Sequence, residues 1–182
     1  MDTALIIIDI QNDYFENGSN TLSESLKACK NARLILDYFR FKGLPVIHIK
    51  HIATKPTATF FLPDTAGAEI HDEVRPFTNE KVIVKHYPNS FRETELLEYL
   101  ESLDISHLVI CGMMTHMCVD ATTRAAKDFG YECTVIGDAC ATKDLEIGGQ
   151  VVKATDVHAS FLAALSYFYS TVNTTIQYLD NK

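Results

Sequence analysis

Along the chain, short unbroken apolar runs alternate with longer segments whose apolar residues recur near helical spacing. "ALIIIDI" (4–10), "PVIHIKH" (45–51), "KVIVKH" (81–86), "HLVICG" (107–112) and "YECTVIGD" (131–138) predict strands. Their apolar residues are continuous rather than alternating, as in strands covered on both faces. "SESLKACKNARLILDYFRFKG" (23–43), "ETELLEYLESL" (93–103), "CVDATTRAAKDFG" (118–130) and "VVKATDVHASFLAALSYFY" (151–169) predict helices; Gly43 and Gly130 close two of them. "TTIQYL" (174–179) predicts a last edge strand. Alternation of strands and helices implies right-handed crossovers, and so an α/β fold with a mostly parallel sheet. The stretch 52–78, with Pro56, Pro63, Gly67 and Pro76, is too long for a mere connection and predicts a binding loop or lid.

Composition narrows the class. A chain of 182 residues is expected to form a single domain, 1–182. The net charge of -8 argues against nucleic acid and anionic membranes as partners, since both want basic patches, and leaves a small-molecule substrate. The five cysteines (29, 111, 118, 133 and 140) include no C-x-x-C pair, so neither a disulfide framework nor a zinc knuckle is expected. The N-terminal stretch lacks a basic region before its apolar run, and no run reaches membrane-spanning length. A cytoplasmic, reduced location is the simplest expectation.

In open parallel sheets, ligands bind outside the carboxyl ends of the strands. Three uncommon residues fall there. Asp9 ends "LIIID", Lys85 ends "VIVK", and Cys118 follows "LVICG" by a short turn. Taken singly, Asp9 reads as a strand stop, Lys85 as an exposed strand end and Cys118 as a small buried hydrophobe. Taken together, they place a carboxylate and an ammonium that can satisfy each other beside a thiol. With Thr115 as N-cap, Cys118 would lie in the first helical turn, where free N–H groups and a nearby ammonium favour the thiolate.

The ordered set "ALIIIDIQNDYF", "PVIHIKH", "GAEIHDEVRPFTNEKVIVKHYPNSF", "LVICGMMTHMCVDATTRAA" and "VIGDACAT" resembles the isochorismatase-like cysteine hydrolase superfamily, relatives of nicotinamidases and N-carbamoylsarcosine amidohydrolase. The resemblance covers most of the chain. It implies a Rossmann-like three-layer α/β/α sandwich around a six-stranded sheet. It implies a catalytic triad at Asp9, Lys85 and Cys118. It also implies a non-proline cis peptide between Met113 and Met114, with the backbone N–H groups of Met114 and Cys118 serving as an oxyanion hole.

Metal-dependent nicotinamidases carry D-x-H after the second strand. "HIKHIAT" has no such Asp, and His48 and His51, three apart on a strand, point to opposite faces, so no metal and no cofactor are expected. Isochorismatases proper generally lack the cysteine, so Cys118 favours hydrolysis of an amide, ureide or carbamoyl-type C–N bond through a thioester. The alternatives are vinyl-ether hydrolysis driven by Asp9 and Lys85, and a non-catalytic redox or scaffold protein. Gln11, Asn12, Tyr14, Phe15, Phe60, Phe61, Phe91, His116 and Thr142 are candidates to orient or wall the substrate, although each also has an ordinary turn or core reading. The resemblance implies a homo-oligomer, for which "FLAALSYFY" (161–169) is a candidate interface or a core helix.

Overall fold

The computed structural model of the protein describes residues 2–181. Six strands, β1 (Thr3–Ile8), β2 (Val46–His51), β3 (Lys81–Lys85), β4 (His107–Met113), β5 (Glu132–Ala141) and β8 (Thr171–Asn173), form one sheet. Their order is β3-β2-β1-β4-β5-β8, and all five pairings are parallel. The chain runs outward from β1 through β2 to β3, then returns to the other side of β1 as β4. The order therefore reverses at β1, and the crevice at the carboxyl ends of its neighbours is where such sheets hold ligands.

The side chains of β1 alternate between two cores. Leu5 and Ile7 pack with Ala32, Leu36 and Phe39 of α1 (Ser25–Lys42) and Tyr178 of α5 (Thr175–Asp180). Ala4, Ile6 and Ile8 pack with residues of α2 (Leu96–Ser102), α3 (Asp120–Asp128) and α4 (Ala154–Phe168). All five are essentially inaccessible. Each large one removed from water contributes roughly 1.5–3 kcal/mol, which explains why β1 is continuously apolar. The three-layer α/β/α sandwich follows. Helix α1 stops at Gly43, whose φ of 63° lets its N–H close back on Phe39 and Arg40.

Several elements differ from expectation. Residues 174–179 are not a strand. Thr174 accepts from Gln177 N and the Gln177 side chain accepts from Thr174 N, a reciprocal cap that starts α5. The edge strand is the preceding β8. A short antiparallel hairpin, β6 (Leu145–Ile147) and β7 (Gln150–Val152), turns at Gly148 and Gly149, both with positive φ, just before α4. The stretch 52–78 is fastened rather than free. His71 N donates to Ile10 O, Asn12 N donates to Glu69 O, and the buried Asp13 carboxylate accepts from Phe61 N at 2.6 Å. A Cβ on Gly67 would collide with that carboxylate. Among the described residues, no helix is long and apolar enough to cross a membrane.

Candidate active site

Three strand ends deliver the polar residues. Asp9 follows the last residue of β1 with a φ of 51°, which turns the chain out of the sheet. Lys85 is the last residue of β3, and His51, its register partner, is the last residue of β2. Beyond β4, the peptide between Met113 and Met114 is cis, and a π-helical turn over Thr115–Val119 carries Cys118 back over the sheet. Gly112 is required beneath this turn, since its φ is 130° and a Cβ would strike the Ile8 backbone. Asp9, Lys85 and Cys118, distant in sequence, thus meet at one point.

All three are buried: Asp9 is 0%, Lys85 1% and Cys118 5% exposed. Lys85 Nζ lies 2.7 Å from Asp9 Oδ2 and donates to Cys118 Sγ at 3.3 Å, to His51 Nδ1 at 3.0 Å and to Tyr87 O at 3.1 Å. The buried Asp9 carboxylate also faces the Cys118 thiol, with an oxygen within 4.8 Å of the sulfur. Burial alone would lower the Lys85 pKa, but the Asp9 carboxylate outweighs it and raises the pKa, so Lys85 stands as an ammonium. Burial, and then the Asp9 carboxylate, push the Cys118 thiol up, while Lys85 pulls it down. The thiol's pKa therefore lies above its ordinary value, with burial first among the causes, where the sequence predicts a lowered one.

The reason differs from the expected cap. Thr115 does not cap a helix: its hydroxyl donates to Ala141 O and pairs with His158 Nδ1 at 2.9 Å, and Met114 precedes the turn instead. Helix α3 begins only at Asp120, beyond the cysteine.

The other candidates divide. Tyr14 faces the site; burial raises its pKa, with added effect from the charges of Cys118, Asp9 and Asp13. Its ring packs on Phe61 at 4.6 Å and Phe60 at 5.9 Å, within the core beside the site. His116 pairs with Thr142 Oγ1 at 2.6 Å, and burial, then Lys143, lower its pKa. Gln11 is a strut. Its amide donates to His51 O and Ala68 O and accepts from His51 N, which uses both donors. Asn12 is likewise engaged, donating to Ala66 O. Phe15 stacks on His71 at 3.9 Å, and Phe91 packs with Phe129 and Tyr131, so both serve other contacts. His51 had been weighed only as a metal ligand. The missed signal is that it ends the strand adjacent to the one that Lys85 ends.

Comparison with known proteins fits this geometry. The isochorismatase domain model matches residues 3–172. The chain belongs to the isochorismatase family. It is 51% identical over 179 residues to the isochorismatase family protein YddQ of Bacillus subtilis, covering 98% of this chain and 99% of that one. A crystal structure of an isochorismatase hydrolase from Oleispira antarctica superposes with a TM-score of 0.95 at 47% identity, covering 98% and 96% of the two chains. That of N-carbamoylsarcosine amidase from Thermoplasma acidophilum superposes with a TM-score of 0.82 at 25% identity, covering 96% and 97%. The chain is thus of a hydrolase family.

The metal of some nicotinamidases does not fit these residues. Among the described residues, the one group of three His, Cys, Asp or Glu able to converge on an ion is Asp9, His51 and Cys118. The Lys85 ammonium already lies within 3.3 Å of an acceptor atom from each of them. A cation entering there would have to displace a buried positive charge.

Proposed function

We propose that this isochorismatase-family protein hydrolyses a C–N bond of a small amide, ureide or carbamoyl compound, using Cys118 as nucleophile and needing no metal. The observation that carries this reading is the buried contact of one ammonium with both Asp9 and the Cys118 sulfur. Likeness to N-carbamoylsarcosine amidase supports the bond type.

The chemistry follows from the proton positions. As the sulfur approaches the substrate carbonyl, Asp9 takes the thiol proton, and a C–S bond forms as the C=O π pair moves to oxygen. Backbone N–H groups of Met114 and Cys118 receive that oxyanion. Lys85 compensates the negative charge passing between sulfur and carboxylate. Collapse re-forms C=O and breaks C–N, with Asp9 returning its proton to the leaving nitrogen. Water, deprotonated by Asp9, then attacks the thioester carbonyl; the C–S bond breaks and Asp9 returns the proton to the sulfur, releasing the acid and the thiol.

A screen of small carboxamides, ureides and carbamoyl amino acids for released ammonia or amine tests the proposal. Turnover of at least one class by the wild type, lost in Cys118→Ala with the fold intact, is expected. Full turnover in Cys118→Ala would overturn it.

A further inference from the structure

We propose that His51 is a positioning residue for this chemistry: its neutral Nδ1 accepts from Lys85 and sets where the ammonium stands between Asp9 and Cys118. The inference rests on the cysteine-hydrolase reading above and adds to it a fourth side chain.

Lys85 offers three N–H donors to four acceptors: Asp9 Oδ2, His51 Nδ1, Tyr87 O and Cys118 Sγ. Two of these, Asp9 and Cys118, change charge during the proposed reaction. The other two do not, and they fix the ammonium while the first two exchange a proton. The Tyr87 carbonyl is backbone and belongs to the turn just beyond β3. His51 is held independently from the neighbouring strand. Gln11 grips its backbone at both N and O, at 2.8 and 2.9 Å, and its ring lies 5.9 Å from Phe61. The backbone that carries the imidazole is therefore held independently of Lys85.

The tautomer follows from the partner. An ammonium can only donate, so Nδ1 must be a lone pair and the ring proton sits on Nε2. The charged groups facing the ring agree: burial and then Lys85 lower its pKa to about 4, Asp9 opposes, and His86 adds slightly to the lowering. Protonating His51 would turn an acceptor into a second cation 3.0 Å from Lys85. The active form is thus the neutral imidazole.

The test is the alkylation rate of Cys118 by iodoacetamide as a function of pH. It is followed by mass spectrometry on the peptide that contains it and needs no substrate. In His51→Ala, the ammonium loses a fixed anchor, and the rate at neutral pH is expected to fall about tenfold, with its profile displaced to higher pH. His51→Asn places an amide oxygen close to where Nδ1 stood and is expected to return the rate to within about threefold of wild type. Thermal melting of both variants separates loss of fold from loss of position. Wild-type alkylation in a folded His51→Ala, or Asn behaving like Ala at equal stability, would overturn the proposal. A normal result here with no hydrolysis of any substrate would leave His51 in place and sink the hydrolase reading instead.

Discussion

Among the described residues, Arg40 with Glu80 and Lys85 with Asp9 each hold a cation against a carboxylate largely out of water, and the two clusters differ in what else the carboxylate meets. In the first, Arg40 of α1 forks onto both oxygens of Glu80 at 2.7 and 2.8 Å. His48 Nε2 at 3.1 Å and Phe77 N at 2.8 Å fill the same carboxylate. Arg40 also lies 3.7 Å over the Phe77 ring. In the second, Asp9 meets Lys85 at 2.7 Å and otherwise faces the Cys118 thiol. The Glu80 carboxylate, closed by fixed donors, makes a clasp that joins α1 to β2 and to the turn before β3. The Asp9 carboxylate is left open toward a thiol whose proton it can take. An ordinary stabilising cluster closes its hydrogen bonds; a site that moves protons keeps one open.

The sharpest way to break this contrast is to substitute the open cluster. Cys118→Ala should lower kcat/KM by about 10⁴-fold or more, measured on the substrate that the screen identifies, with the melting temperature nearly unchanged. Asp9→Asn keeps the shape but cannot take the thiol proton, so a loss of about 10³-fold is expected, almost all of it in kcat. Activity in Asp9→Asn near that of wild type would place the base elsewhere.

The closed cluster should answer in the opposite currency of observables. Glu80→Ala strands Arg40 and is expected to cost roughly 3 kcal/mol in a denaturant melt, with kcat/KM per folded molecule within about twofold. Its acid behaviour has a definite sign. Burial would raise the Glu80 pKa, but the Arg40 hydrogen bonds, Phe77 N and His48 outweigh it and lower the pKa to about 2. A depressed carboxylate stabilises the fold above its unfolded pKa. That contribution should fade as pH falls from about 4.5 toward 2, and Glu80→Gln should flatten this part of the stability curve. The smallest effect is expected at Phe91. Phe91→Leu should lower stability by about 1 kcal/mol and leave KM unchanged, because its ring contacts are Phe129 and Tyr131.

Much of the open cluster was visible in the sequence because each member interrupts a pattern. Asp9 and Lys85 are charges placed at the ends of apolar strands, and Cys118 follows the one strand that ends in Gly-Met-Met. Strand ends on the same side of a parallel sheet share a rim, so linear order was enough to bring them together. Other features have no such mark. The run 174–179 has β-branched residues, yet the Thr174–Gln177 cap makes it helical. Thr115 looked like a cap and instead bonds Ala141 and His158, partners set by packing. Phe15 and Phe91 are indistinguishable in sequence from Tyr14 and Phe60; only the packed rings show which lie beside the site. The raised thiol pKa follows first from burial, which spacing alone does not reveal.

The central claim is that the Cys118 sulfur carries the acyl group. Mass spectrometry of protein quenched during turnover tests it directly, since the thioester adds the mass of the substrate's acyl portion to one peptide. The predicted result is that increment on the peptide containing Cys118, absent in Cys118→Ala and lost with time as water hydrolyses it. Steady turnover with no increment on that peptide, or the same increment on another residue, would contradict the account.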